Sequence, residues 1–135
     1  LQAPSVFNFF SPFFAPPGEI ASQNLVAPEL QLATEFLNTQ AANYFWVQAA
    51  NRTTAQTGLG ADVVAIDTSA EMALANDPEA LVNKVADKLL GGQISAELKA
   101  TTKLQVERTA ATNPAGRVAD AIYLIASSPE YALQR

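Results

Sequence analysis

The residues best suited to chemistry are three carboxylates near the middle of the chain, Asp62, Asp67 and Glu71. Carboxylate oxygens and backbone carbonyls are the ligands that Ca²⁺ takes in proteins. The spacing does not match the EF-hand loop, which needs ligands at its first, third and fifth positions and a glutamate at the twelfth. The simpler interpretation is a helix cap with solvated loop charges, so we expect no metal and no other cofactor.

Two further pairs of residues are weaker candidates. Gly58 and Gly60 match two glycines of a dinucleotide-binding fingerprint, but the third glycine and the strand before it are missing. Glu29 and Glu35 are six residues apart, which places them on different faces of a helix. That separation argues against an acid–base pair.

Ser95 and Lys99 are one helical turn apart, so a serine activated by a lysine is chemically conceivable. A helix-capping role explains Ser95 without further assumptions. The chain contains no histidine and no cysteine. Their absence removes the commonest general base, the commonest transition-metal ligand and all thiol chemistry. The residue types therefore favour a chain without catalytic residues of its own.

The largest concentration of apolar side chains lies near the N-terminus. Five of the seven phenylalanines fall close together there: Phe7, Phe9, Phe10, Phe13 and Phe14. Prolines on both sides of this group disfavour a long helix. We interpret residues 1–27 as an extended aromatic strap whose rings pack against the helices of the same chain. The alternative is an interaction surface for a ligand or a partner, because exposed clusters of rings are typical of interfaces.

The elements that would position these residues are mostly helical in pattern. Residues 28–50 lack glycine, and their apolar side chains recur at every third or fourth position, which predicts one long helix. Residues 51–76 begin with threonines and glycines and predict a loop followed by a short helix. Residues 77–135 predict three helices and a short C-terminal turn.

Helix ends are marked in the last part of the sequence. Asp77, Asn113 and Ser128 each precede a proline, the pattern of a capping side chain followed by proline at the first helical position. Ser95 is a further predicted cap, and Gly91 with its following glycine predicts a helix end. We therefore predict an all-α fold: a four- to five-helix bundle with an extended, Phe/Pro-rich N-terminal strap.

Length and charge set the remaining expectations. At 135 residues the chain fits a single domain over residues 1–135. Its net charge of −5, with scattered basic residues, argues against nucleic acid. No apolar run is long enough for a membrane span. The first residue is not methionine, so we expect a fragment of a longer protein. The expected partner is then the rest of its own polypeptide or another protein, with the oligomeric state left open.

Several blocks carry a family resemblance. They are APSVFNFFSP (residues 3–12), PPG (16–18), LVAPE (25–29), LLGG (89–92), RVADAIYL (117–124) and SSPEYALQR (127–135). In this order they make the sequence similar to the C-terminal part of the bacterial DUF1800 family of uncharacterised proteins. Members are several hundred residues long, largely helical and often exported, so the resemblance implies a helical C-terminal fragment of an exported protein. It implies no activity, cofactor or catalytic residue.

Two hypotheses about function follow. The first is a non-catalytic helical module of a larger, exported bacterial protein, serving packing or partner binding. The second is that the chain contributes part of an active or carbohydrate-binding site completed by a missing N-terminal region. The first predicts no pocket lined by several titratable groups, and the second predicts rings or acids exposed on one concave face.

Overall fold

The computed structural model describes residues 11–53, 62 and 64–132, and in this part of the chain the fold is all-α, as predicted. A 3₁₀ helix spans Pro28–Leu32. The α-helices are α1 (Glu19–Ser22), α2 (Glu35–Asn51), α3 (Ser69–Met72), α4 (Pro78–Leu90), α5 (Ala96–Arg108), α6 (Pro114–Ala126) and α7 (Pro129–Ala132). None of the helices described is long and apolar enough to cross a membrane. The chain divides into two compact units, Leu1–Ala41 and Ala42–Arg135, where the sequence predicted one domain.

In the first unit, the described part of the strap is tied to the 3₁₀ helix by hydrogen bonds. The backbone N–H of Ala27 donates to the carbonyl of Phe14 over 2.8 Å. The side-chain amide of Gln31 donates to the carbonyls of Ser11, over 3.3 Å, and Pro28, over 2.9 Å. These bonds fold the strap back on itself, because its prolines leave carbonyls without helical donors.

The predicted helix over residues 28–50 is interrupted near its start. The 3₁₀ helix ends at Leu32, and α2 begins at Glu35. Between them, the hydroxyl of Thr34 accepts a hydrogen bond from the N–H of Leu37 over 3.2 Å. A threonine that caps a new helix competes with continuation of the old one. The prediction of one unbroken helix is therefore wrong in its first turns.

In the second unit, α4, α5 and α6 pack against one another, and α3 and α7 each contact α4 and α6. Their apolar stripes meet in a core that excludes water. The fully buried aliphatic side chains of this core include Ala75, Leu81, Val82, Val85, Ala86, Val106, Val118, Ala121 and Ile125. Because α4 and α6 contribute most of these side chains, they form the centre of the unit.

The predicted helix ends of this bundle are confirmed. Side-chain oxygens of the four predicted N-caps accept hydrogen bonds from backbone N–H groups in the following turn, over 2.9 to 3.3 Å. The caps are Asp77, Ser95, Asn113 and Ser128. At the end of α4, Gly91 has a φ of 60°, a left-handed conformation that favours glycine. Local sequence signals thus determine where these helices begin and where α4 ends.

The two ends of the connection between α2 and α3 are joined. Thr53 and Ile66 form an isolated parallel bridge, in which the N–H of Ile66 donates to the carbonyl of Arg52 over 2.8 Å. The pairing holds the start of α3 beside the end of α2 and so helps to place the carboxylates singled out above.

Candidate functional site

A cleft of about 150 Å³ lies between α3, α4 and α6 in the second unit. Its walls are mainly aliphatic, and its polar groups come from the start of α3 and the last turn of α4. The lining residues are Ile66, Asp67, Thr68, Glu71, Val85, Lys88, Leu89 and Ile122. A largely apolar cleft with a few polar groups has the form of a small-ligand site. We name it the Glu71 cleft.

Glu71 provides a buried carboxylate in this cleft. Its side chain is 4% exposed, and Oε1 lies 2.6 Å from Nζ of Lys88, whose side chain is 51% exposed. The contact has the distance of an ion pair, but Oε1 receives no aligned hydrogen bond from the described residues. A buried carboxylate is costly without compensation, so Glu71 depends on this ammonium. Sequence reasoning missed Lys88, because only the packing of α3 on α4 brings the two residues together.

The structure brings together two of the three candidate metal ligands. Asp67 and Glu71 both line the cleft, whereas Asp62 is exposed and does not. Oδ1 of Asp67 accepts hydrogen bonds from the N–H and the hydroxyl of Ser69, which forms a local side-chain-to-backbone turn just before α3. In the described ranges, no group of three or more His, Cys, Asp or Glu residues could hold a metal ion.

A second charged cluster joins α4 to α5. The carboxylate of Glu79 lies 2.6 Å from Nζ of Lys99 and 2.9 Å from Nζ of Lys103. Hydrogen bonds from Lys99 and Lys103, with their positive charge, lower the pKa of Glu79 from 4.5 to about 2. The same contact raises the pKa of Lys103. Lys99 is therefore engaged with Glu79, while the hydroxyl of Ser95 accepts from the N–H of Leu98, which confirms the capping interpretation of Ser95.

An open cavity of about 330 Å³ lies between the start of α5 and α7. Its polar groups serve the structure, because they form hydrogen bonds at the ends of these helices. Oε2 of Glu130 accepts a hydrogen bond from the N–H of Ser95 over 2.9 Å. The hydroxyl of Ser128 donates to the carbonyl of Ile125 over 2.7 Å. These groups satisfy helix ends, where N–H and C=O groups lack partners within the helix.

Arg117 is a buried arginine that sequence reasoning did not select. Its Nε donates to the carbonyl of Thr109 over 2.8 Å, and its Nη1 donates to the carbonyl of Ala75 over 2.9 Å. The hydroxyl of Thr109 in turn contacts Oδ2 of Asp120 over 2.5 Å. Arg117 thus joins the end of α5 to the turn after α3. A signal was present, since Arg117 lies four residues before the buried Ala121 on the apolar face of α6.

The remaining candidates are placed as follows. Phe13 is 85% exposed and Phe14 is half-buried. Phe7, Phe9 and Phe10 lie outside the described residues, as do Gly58 and Gly60. Glu35 is exposed in the first turn of α2. Exposure of Phe13 differs from the interpretation in which every ring of the strap packs inside the chain.

In the second unit, aromatic rings on one side of α2 pack against rings of α6 and α7. Trp46 meets Tyr123 edge to face, with ring centroids 5.4 Å apart, and Phe45 meets Tyr131 in the same way at 6.2 Å. Successive helical residues are about 100° apart, so the side opposite Phe45 and Trp46 points away from Tyr123 and Tyr131, while the ring of Tyr44 meets that of Phe45 edge to face at 6.2 Å. We name that opposite side the outer face of α2. It consists of Asn43, Tyr44, Val47 and Asn51, all of which are exposed.

The comparisons with known proteins identify a family. The family model described as "Protein of unknown function (DUF1800)" matches residues 1–133. The chain belongs to the DUF1800 family. No curated protein and no solved structure matches it. The family match confirms the resemblance carried by the sequence blocks, and its description assigns no activity.

Proposed function

We propose that this DUF1800 chain is a non-catalytic helical module that docks onto another protein surface through the outer face of α2. The observation that carries the proposal is the composition of that face. Tyr44 is 61% exposed and Val47 is 41% exposed, and residues 42–51 contain no charged side chain. A helix that faces water permanently normally has charged residues on its outer side.

The amino acids of the outer face are those that protein interfaces favour. Interface cores are enriched in aromatic residues and depleted of Lys, Glu and Asp. Asn43 and Asn51 flank Tyr44 and Val47 with amides, which can form hydrogen bonds at a rim without the cost of burying a charge. The face therefore supports association with a protein more than permanent contact with water.

The partner is either the rest of a longer polypeptide or a separate protein. The aromatic strap supplies a second contact surface, which the exposure of Phe13 supports. A phenylalanine ring exposed on a proline-rich segment offers a large apolar area. We assign the strap rings Phe7, Phe9, Phe10, Phe13 and Phe14 to this surface.

Site-specific photo-crosslinking tests the proposal. Val47 is replaced by p-benzoylphenylalanine in the full-length gene product, expressed in its native host, and the cells are irradiated. Leu104 on α5 provides the matched control, because it is also a large apolar residue and is 50% exposed. We expect adducts from position 47 and far fewer from position 104.

Mass spectrometry of the adducts separates the outcomes. A crosslink within the polypeptide identifies a packing module, and a crosslink to another chain identifies a partner-binding module. Equal yields at positions 47 and 104 would show that the outer face of α2 has no special partner.

The rings also support a second function, a contribution to a carbohydrate-binding site. Trp46 is 43% exposed and follows Tyr44 and Phe45 in the helix, and exposed rings are used at binding surfaces. Trp46 is the single tryptophan of the chain, so its fluorescence reports directly on this region. Saturable changes on addition of soluble oligosaccharides, lost in Tyr44→Ala, would favour the carbohydrate function over protein docking.

A further inference from the structure

The Glu71 cleft pairs a fixed carboxylate with a movable ammonium. Glu71 is held inside the protein, with a side chain that is 4% exposed, whereas half of the side chain of Lys88 already lies in solvent. Lys88 can therefore rotate outward at little cost, because its ammonium is well solvated there. Glu71 cannot follow. When Lys88 leaves, the buried carboxylate requires another positive donor.

We propose that the Glu71 cleft binds an aliphatic primary ammonium group, which replaces Lys88 beside Glu71 while its alkyl chain lies on the aliphatic walls. The site is separate from the outer face of α2, and the inference does not depend on the proposed docking function. The walls come from three segments: Ile66 before α3, Val85 and Leu89 of α4, and Ile122 of α6.

The size of the cleft sets the size of the alkyl group. A volume of about 150 Å³ resembles that of cavities which accept benzene. An unbranched alkyl chain of the length found in lysine fits this space. The same chemistry is available from a free alkylamine and from a lysine side chain of a peptide, so the test includes both.

The charge and the donor set exclude other classes of ligand. An anion would approach a buried carboxylate and be repelled. Ca²⁺ takes six to eight oxygen ligands, whereas the cleft offers Glu71 and Asp67, and Oδ1 of Asp67 is engaged with Ser69. A neutral apolar molecule would leave the hydrogen-bonding capacity of Glu71 unused. An ammonium that takes the place of Lys88 restores the positive charge beside Oε1 and can donate the aligned hydrogen bond that Oε1 does not receive from the described residues.

Removal of the internal ammonium tests the proposal. Lys88→Met keeps the aliphatic stem but deletes the competing charge. We expect n-butylammonium at pH 7 to bind this variant about tenfold more tightly than the wild type, because no internal competitor must first be displaced. Titration followed by ¹⁵N–¹H NMR should show saturable shifts in the amides of residues 67–72 and 85–89.

Matched ligands and variants supply the controls. n-Butanol has the same shape without the charge and should bind Lys88→Met at least tenfold more weakly than n-butylammonium. Sodium chloride at equal ionic strength controls for salt. Glu71→Gln should remove the preference for the amine over the alcohol. Lys88→Met leaves the Glu71 carboxylate without its counter-charge, so the wild type supplies the decision if either variant does not fold: n-butylammonium should shift the cleft amides of the wild type and n-butanol should not.

The result also distinguishes the source of the ligand. Tighter binding of a Gly-Gly-Lys-Gly-Gly peptide than of n-butylammonium indicates a lysine of a protein partner, and the reverse order indicates a free amine. Equal affinities of n-butanol and n-butylammonium for Lys88→Met would overturn the proposal. So would shifts confined to residues outside the cleft. Neither result bears on crosslinking from position 47, so the two proposals can fail separately.

Discussion

α2 and α4 are organised in opposite ways. α4, with 13 residues, has a capping side chain at Asp77, a left-handed end at Gly91 and four buried side chains. α2 is longer, with 17 residues, yet Ala49 is its one buried residue among those described. The apolar side chains of α4 are used within the bundle, while those of α2 are largely left at the surface.

The contrast separates stability from recognition. Burial of apolar area stabilises a fold in proportion to the area removed from water, so the folding free energy of the second unit is concentrated in α4, α5 and α6. The outer face of α2 removes little area from water within the unit. Side chains that contribute little to the stability of the fold can instead serve to bind a partner.

The largest expected effect tests whether the core of the bundle is where stability lies. Leu81→Ala removes a fully buried side chain of α4 and should lower the free energy of unfolding by about 2–5 kcal/mol. Val47→Ala on the outer face of α2 should change it by less than about 0.5 kcal/mol. Urea denaturation followed by circular dichroism measures both.

Leu104→Ala is the control for this pair, because Leu104 is large, apolar and exposed on α5. It should behave like Val47→Ala. A cost for Val47→Ala close to that of Leu81→Ala would mean that the outer face of α2 belongs to the folding core, and the separation of stability from recognition would be wrong.

A smaller but still large effect is expected at Arg117, which holds the bundle together through polar contacts. Arg117→Met leaves the carbonyls of Thr109 and Ala75 without their donors. The expected loss is about 2–4 kcal/mol, because each unsatisfied buried group costs about 1–3 kcal/mol. Denaturation by urea provides the measurement. Arg117→Lys, which restores one donor, should recover part of the loss, and full stability of Arg117→Met would contradict the assigned role.

The difference between the two helices also explains what the sequence could predict. The signals that determine α4 lie within or directly beside its own sequence: a cap before a proline, apolar residues four positions apart, and two glycines at the end. The break between the 3₁₀ helix and α2 depends on one hydroxyl, that of Thr34, within an uninterrupted helical pattern. The pairing of Glu71 with Lys88 depends on how α3 packs on α4. Local signals predict elements, whereas contacts between elements require the folded chain.

A moderate effect is expected at the cap of α6. Asn113→Ala should cost about 1 kcal/mol, the usual effect of losing a capping side chain. Gly116→Ala would ordinarily stabilise a helix by about 1 kcal/mol, but a Cβ at this position would overlap the side-chain amide of Asn113. We therefore expect no gain from Gly116→Ala alone and the full gain in the Asn113→Ala background.

Thermal denaturation of the two single variants and the double variant measures this coupling. Equal effects of Gly116→Ala in both backgrounds would show that the cap does not constrain Gly116. A larger gain in the Asn113→Ala background would show that a specific side chain stabilises the start of α6, as Asp77 does at the start of α4.

The smallest effect is expected from the charges that link α4 to α5. The pKa of Glu79 is about 2 in the folded protein, against an ordinary value of 4.5. Because the folded value is the lower one, the contacts with Lys99 and Lys103 stabilise the protein above pH 4.5, and this contribution is lost as the pH falls towards 2. The side chain of Glu79 is 47% exposed, so solvent and salt weaken the effect.

Melting temperatures of the wild type and Glu79→Gln, measured between pH 6 and pH 2 at low salt, test this expectation. The wild type should be the more stable protein at pH 6, and the difference should shrink as the pH falls below 4.5. Added sodium chloride should reduce the difference at pH 6. A difference that persists unchanged at pH 2 would show that Glu79 stabilises the α4–α5 contact by something other than its negative charge.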